Sequence, residues 1–156
     1  MLMFKKILLF SLFLLLISCN TTYDDPSYAK YSFDIDKSSG LPYVEGTINK
    51  KKALFLIDSG SALTVLNMED YRHYNISFVP ISNGSSIGVS GKHASIYPTF
   101  FTEVWIDDLL INTNIYVMDL SLFKETTNCD GILGVDFLNK NDMVLDFSSK
   151  QIIVKR

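Results

Sequence analysis

Apolar and polar residues alternate with a period of two in short runs along most of the chain. Tyr31 and Phe33 fall on one face of the first such run, and segment 43–48 continues the alternation. This period is typical of half-buried β-strands, and turn residues separate the runs. The pattern predicts an all-β domain of many short strands, with one short helix at 137–140 and a further helical turn near 68–73.

The first 18 residues have the composition of an export signal. Lys5 and Lys6 precede an apolar run over 7–17. That run is too short for a transmembrane helix, which needs about 20 apolar residues, but it suits a secretory signal. We therefore expect the domain to lie outside the cytoplasm.

The residues that follow the apolar run resemble the lipobox of bacterial lipoproteins. They read Leu-Ile-Ser-Cys, ending at Cys19. The resemblance implies that residues 1–18 are a signal peptide and that lipid on Cys19 anchors the protein in the bacterial cell envelope, at the outer membrane or cell surface. An uncleaved anchor helix with an incidental cysteine is the alternative.

Residues 19–30 are short of aliphatic side chains, which predicts a flexible tether between the lipidated cysteine and a folded domain over 31–156. If Cys19 carries lipid, Cys129 has no disulfide partner within the chain. We interpret Cys129 as a small buried apolar residue, with a redox role or an intersubunit bridge as the alternatives.

Charge and histidine content exclude several functional classes. The formal net charge of −3 and the pI of about 5.3 do not fit a nucleic-acid partner, which requires a basic surface. His73 and His93 lack the clustering of a metal site, so we expect neither a metal nor another cofactor. The run 50–52 of three lysines is interpreted as a solvated turn, with a lipid-headgroup contact as the alternative.

The strongest chemical signal follows the apolar run 53–57, which predicts a strand buried on both faces. The run ends in Asp58-Ser59-Gly60-Ser61. Burying an uncompensated carboxylate costs on the order of several kcal/mol, so Asp58 needs partners. Ser59 and Ser61 can supply hydroxyl donors, and Gly60 permits a tight turn whose backbone amides approach the carboxylate.

Two motifs in this order resemble the retropepsin-like aspartic protease family. Segment 53–66 resembles its apolar strand, Asp-Thr/Ser-Gly turn and second apolar strand. Segment 130–138, Asp-Gly-Ile-Leu-Gly-Val-Asp-Phe-Leu, resembles the signature that precedes the family's short helix. Segments 143–147 and 151–154 resemble the terminal strands of bacterial members. The resemblance covers residues 31–156.

The resemblance implies an all-β fold, a closed β-barrel lobe with one short helix near the C-terminus. In such a lobe, Ile132, Leu133 and Gly134 would pack beneath the Asp58 loop. The family's chemistry uses two carboxylates around one water, and the 156-residue chain, less its signal, cannot hold two lobes. The resemblance therefore implies a homodimer with one Asp58 from each subunit.

The implied roles of the turn residues follow from the same resemblance. The two Asp58 carboxylates would share one proton, one acting as base on the water and the other as acid. Ser59 matches a position that bonds across the dimer axis, and Ser61 matches one that can donate to the outer carboxylate oxygen. We expect cleavage of peptides or unfolded protein segments at acidic to neutral pH.

The family's flap falls between the two motifs, at Ile87-Gly88-Val89-Ser90-Gly91. The two glycines would permit the turn and the hinge motion. Here a hairpin would close over an extended peptide and pair with its backbone. An ordinary surface hairpin is the alternative interpretation of this segment.

Two functions are compatible with these features. One is an envelope-anchored aspartic endopeptidase. The other is a catalytically inactive retropepsin-like lipoprotein that serves as a peptide-binding or dimerisation module. The complete Asp58-Ser59-Gly60 turn favours the enzyme, because a binding module has no need of a strained buried acid at this position.

Overall fold

The computed structural model describes residues 25–80, 84–87, 93–111, 113–140 and 142–156, with only the backbone described at 84–87 and 93. The elements in these ranges are short strands joined by turns, with two α-helices and one 3-10 helix. The strands are β1 (Tyr28–Ser32), β2 (Asp34–Ile35), β3 (Pro42–Ile48), β4 (Lys51–Ile57), β5 (Thr64–Asn67), β6 (Ser77–Phe78), β7 (Gly84–Ile87), β8 (His93–Phe100), β9 (Val104–Ile106), β10 (Leu109–Leu110), β11 (Ile115–Met118), β12 (Gly131–Leu133), β13 (Val144–Asp146) and β14 (Gln151–Lys155). The helices are α1 (Ser121–Thr127), α2 (Val135–Lys140) and the 3-10 helix Met68–Asp70.

The strands form two sheets. The larger sheet has the order β10-β9-β3-β4-β12-β5-β11-β8-β6, with β2 paired to β3 and β7 to β8, and the smaller has the order β1-β14-β13. A mostly β fold is thus confirmed. Within the described ranges no ladder joins the outer strands β10 and β6, so closure into a barrel stays a prediction.

The helices agree only in part with the sequence-based expectation of one short helix. The helix expected at 137–140 is α2, which begins at Val135, and the turn near 68–73 contains the 3-10 helix. Helix α1 was not predicted. It has no side-chain cap and no buried residue, so it lacks the signals by which a helix is recognised in a sequence.

The first strand begins at Tyr28 rather than at the predicted start of the domain, Tyr31. Tyr28 pairs with Lys155 and Ala29 with Val154, and both Ala29 and Val154 are buried. Pairing with β14 therefore orders residues whose composition alone had indicated a tether. No helix among the described residues is long and apolar enough to cross a membrane.

Cys129 is buried, as the sequence had indicated, and within the described ranges it is a free thiol. Burial raises the pKa of its thiol. A buried, protonated thiol is a poor nucleophile, so Cys129 packs as a small apolar residue.

Strand β12 holds the centre of the larger sheet together. It lies between β4 and β5, parallel to β4 with Leu133 opposite Ile57, and antiparallel to β5 with Gly131 opposite Leu66. All four residues of β5 are buried. This arrangement brings the loop between β4 and β5 against the end of β12, and that loop carries Asp58.

Candidate active site

The turn that carries Asp58 begins where the buried strand β4 ends. The Asp58 N–H donates to the carbonyl of Leu133 at 3.0 Å, and the Ser61 N–H donates to the carbonyl of Asp58 at 3.1 Å. The first bond fixes the turn to β12 and the second closes the turn on itself. The backbone of Asp58 is therefore set by two hydrogen bonds.

The carboxylate of Asp58 is half-buried and accepts one hydrogen bond from the described residues. Its Oδ1 accepts a hydrogen bond from the Gly60 N–H at 2.8 Å. Within the described residues it makes no ion pair, and Oδ2 accepts no hydrogen bond. A Cβ on Gly60 would lie 3.1 Å from Oδ1, so glycine keeps the space beside the carboxylate open.

The two serines of the turn differ from each other in what they contact. Ser59 is exposed, and its predicted bond to a second subunit stays a prediction. The Ser61 hydroxyl donates to the carbonyl of Leu63 at 2.8 Å instead of to the Asp58 carboxylate, so that expectation was wrong. The hydroxyl is turned towards the backbone of its own loop, while the Gly60 amide holds the carboxylate.

Leu133 and Gly134 lie directly against the Asp58 turn, whereas Ile132 pairs with Leu56 and Val65 in the neighbouring strands. Leu133 accepts the bond from Asp58, and the N–H of Val135 donates to the carbonyl of Ser61 at 2.8 Å. A Cβ on Gly134 would lie 2.5 Å from the carbonyl oxygen of Leu63, which leaves no room for any other residue. The second motif thus packs its backbone onto the loop that the first motif forms.

A buried hydroxyl links this packing to helix α2. Thr64 is fully buried, and its Oγ1 accepts from the Gly134 N–H at 3.2 Å and donates to Asp136 Oδ1 at 2.8 Å. Asp136 Oδ2 accepts from Thr113 at 3.1 Å, and Oδ1 also accepts from the Phe137 N–H at 2.8 Å. Sequence reasoning missed both threonines, because nothing in their neighbourhood marks them as partners of Asp136.

A second cluster of charges ties α1 to the strands. The Lys124 ammonium contacts Asp70 at 2.6 Å and Asp130 at 2.8 Å. Burial acts to lower the pKa of Lys124, but the hydrogen bonds with Asp130 and Asp70 outweigh it and raise that pKa. Asp130 also accepts from the Leu54 N–H at 2.9 Å, so the cluster fixes the segment that leads into β12.

The segment expected to form the flap is described only at its two ends. Strand β7 pairs with β8 from Gly84 opposite Ile96 to Ile87 opposite His93. The antiparallel ladder of a hairpin is therefore present at this position. Gly88, Val89, Ser90 and Gly91 lie outside the described residues, as does Cys19.

In the part of the chain that the structure describes, no group of three or more His, Cys, Asp or Glu side chains is placed to hold a metal ion. Among the described residues, the Asp58 turn has a geometry that suits acid-base chemistry on a substrate. Its Oδ2 accepts no hydrogen bond from these residues and is therefore free to bind a water. The other carboxylates near β12, Asp130 and Asp136, are occupied by bonds to protein groups.

Comparisons with known proteins agree with this geometry. A family model described as aspartyl protease matches residues 44–137. No curated protein sequence matches the chain.

Solved structures that share the fold include two proteases and one protease-like domain. The EIAV protease complexed with the inhibitor HBY-793 has a TM-score of 0.53 at 20% identity, over 69% of this chain and 93% of that one. The retroviral protease-like domain of Ddi1 from Leishmania major has a TM-score of 0.52 at 20% identity, over 72% of this chain and 86% of that one. A retropepsin-like aspartic protease from Rickettsia conorii has a TM-score of 0.52 at 18% identity, over 81% of this chain and 90% of that one. At these identities the likeness shows a common fold.

Replacing Thr64 by valine should destabilise the protein more than the same change at Thr113. Thr64→Val leaves a buried Gly134 N–H without its acceptor and removes a donor to Asp136, so we expect a loss of about 2 to 3 kcal/mol in the free energy of unfolding. Thr113→Val removes one half-buried bond and should cost about 1 kcal/mol. Urea unfolding measures both, and equal losses would contradict the role assigned to Thr64.

Proposed function

The chain belongs to the aspartyl protease family, and from that membership we propose that it is an aspartic endopeptidase whose catalytic carboxylate is Asp58. The observation that carries the proposal is the Asp58 turn itself. Its backbone is fixed by β12, yet among the described residues its carboxylate accepts only the bond from Gly60. A rigidly held acid with a free oxygen is suited to activating a water.

The second carboxylate has to come from a second copy of the chain. Asp136 is held by Thr64, Thr113 and the Phe137 N–H, and Asp130 is paired with Lys124. Neither is free to share a water with Asp58. A homodimer in which a two-fold axis passes between the two Asp58 turns would supply the missing group, because such an axis repeats every residue once.

Two such carboxylates would share one proton, since like charges so close do not both ionise. The ionised Asp58 takes a proton from the water, whose oxygen attacks the peptide carbonyl carbon. The partner subunit's Asp58 gives its proton to the carbonyl oxygen, which stabilises the tetrahedral intermediate. The C–N bond then breaks, and the leaving nitrogen takes a proton from the carboxyl that had accepted one from the water. As the carbonyl re-forms, a hydroxyl of the intermediate returns its proton to the partner subunit's Asp58, which restores the shared proton.

The substrate in this proposal is an extended peptide or an unfolded protein segment. The β7–β8 ladder supports a hairpin at the position of the flap, and its backbone groups could pair with a peptide as an added strand does. The connection between these strands, which includes Gly88 and Gly91, would close over the peptide.

We further propose that lipid on Cys19 anchors the enzyme to the bacterial cell envelope, outside the cytoplasm. The apolar run 7–17 and the cysteine that follows it support this location. Two or more acyl chains on one residue give stable anchoring, whereas one chain binds a membrane only marginally.

Asp58→Asn should abolish cleavage of a mixed peptide library between pH 4 and 8. The asparagine keeps the shape of the turn but can neither take a proton from water nor share one, so we expect a loss of at least about a thousandfold in kcat/KM. Mass spectrometry of the library measures it, with Asp142→Asn as the control because Asp142 is exposed.

Cleavage that persists in Asp58→Asn would mean that another group does the chemistry. An optimum above about pH 8 would also contradict a pair of carboxylates that shares one proton. A dimer that binds peptides and never cleaves them would identify the inactive binding module.

Mixing the wild-type chain with Asp58→Asn tests whether one site needs two subunits. If equal amounts are unfolded and refolded together at constant total protein, random pairing leaves about one quarter of the dimers with two intact carboxylates. The activity should therefore be about one quarter of that of the wild-type chain alone at the same total protein concentration. Independent subunits would retain about one half, and that result would rule out the shared site.

Cys19→Ser should release the protein from membranes of the host cell. Serine has no thiol to carry the acyl chains, so the membrane fraction of the protein should fall from nearly all to a minority. Fractionation with radioactive fatty acid labelling measures both location and lipid, and Cys129→Ser is the matched control. Label that remains on Cys19→Ser would contradict the anchor.

A further inference from the structure

One asparagine joins three surface segments at the end of the domain where β4 begins. The Asn49 N–H donates to the carbonyl of Glu103 at 2.8 Å, and the Glu103 N–H donates back to Asn49 Oδ1 at 2.9 Å. Asn49 Nδ2 donates to the carbonyls of Tyr74 at 2.8 Å and Asn75 at 3.1 Å. We call the surface formed by residues 49–51, 72–75 and 100–103 the Phe101 corner.

Two phenylalanines project from this corner. Phe101 is 99% exposed and Phe100 is 51% exposed. Phe101 has a φ of 51°, the left-handed region that a bulky side chain rarely adopts. The β6–β8 pairing before it and the Asn49 bonds after it hold the backbone in that conformation. The backbone on both sides of Phe101 is therefore hydrogen-bonded, while its side chain is exposed.

The segments that Asn49 joins to residue 103 also contain three basic residues. Lys50 is exposed in the turn, the Lys51 ammonium contacts the carbonyl of His73, and exposed Arg72 lies 5.3 Å from the ring of Tyr71. Glu103 is the acidic residue of the corner, so its segments contain three basic residues and one acidic residue. The corner is locally positive, although the whole chain has a formal net charge of −3.

We propose that the Phe101 corner docks on an anionic lipid bilayer. Phe100 and Phe101 enter the headgroup region, and the cations at 50, 51 and 72 lie against lipid phosphates. Aromatic side chains beside lysine and arginine are the composition by which proteins bind such surfaces.

The size of the apolar surface favours lipid over a protein partner. Two adjacent side chains cannot supply the roughly 800 Å² per partner that a stable protein interface buries. A bilayer has no such requirement, because a few inserted aromatic rings and the attraction of headgroup phosphates act together.

The proposal also sets the direction in which the Asp58 turn points. The corner lies at the first residue of β4 and Asp58 follows its last residue. Seven residues in a strand span roughly 20 Å at about 3.3 Å per residue. Docking by the corner therefore leaves the turn facing the aqueous phase, open to peptides.

A tryptophan introduced as a depth reporter tests the proposal in the full chain. Phe101→Trp is compared with Leu122→Trp, because Leu122 is 76% exposed and lies on α1, outside the corner. The native Trp105 is present in both variants. Each is added to vesicles of brominated phosphatidylcholine, with or without phosphatidylglycerol.

With phosphatidylglycerol present, Phe101→Trp should show a blue-shifted emission and at least about twofold stronger bromine quenching than Leu122→Trp. Adding Lys50→Gln and Lys51→Gln to the reporter should weaken the quenching. A lipid anchor elsewhere in the chain would bring both reporters to the vesicle equally, so it cannot produce this difference.

Three results would overturn the proposal. The first is equal quenching of the two reporters. The second is quenching that does not depend on phosphatidylglycerol or on the two lysines. The third is a blue shift that needs no lipid and grows with protein concentration, because that would identify a second copy of the chain as the occupant.

Discussion

The insertion of β12 between β4 and β5 is the constraint on which the rest of the site depends. Its last residue, Leu133, accepts the N–H of Asp58, and the N–H of Val135 reaches Ser61 on the far side of the turn. Between them Gly134 touches the backbone of Leu63 so closely that no side chain fits. The acid is thus positioned by main-chain contacts, which vary less with thermal motion than contacts between long side chains do.

Three aspartates near this centre show how environment assigns roles to one residue type. Asp136 has its oxygens satisfied by two threonines and a backbone amide, and Asp130 is neutralised by Lys124. Both are structural, since each joins elements that would otherwise separate. Asp58 alone of the three is left with an oxygen that no described group contacts. A carboxylate with a free oxygen on a fixed backbone can bind and polarise a water.

The sequence predicts the strands and the acidic turn because both depend on local pattern. The apolar run 53–57 followed by Asp58 and Gly60 is visible without knowledge of the fold, and the Gly60 amide does approach the carboxylate. The target of the Ser61 hydroxyl could not be predicted, because a serine can turn to any acceptor in reach. Helix α1 escaped prediction because it has no side-chain cap and no buried residue. The Lys124 cluster escaped it because its bonds join residues far apart in sequence, such as the Leu54 amide and Asp130 with a separation of 76.

The long separation in sequence between bonded residues has a consequence for the order in which the protein folds. Thr64 and Asp136 are 72 positions apart, and the strand that finishes the turn is near the end of the chain. Folding is slowed because the entropy of closing a loop of this length is lost before the contacts that compensate for it have formed. A polypeptide synthesised only as far as residue 130 contains Asp58 but not β12, the strand that orients it. The Asp58 turn therefore reaches its final geometry only after residues 131–135 have been added, long after the aspartate itself has been synthesised.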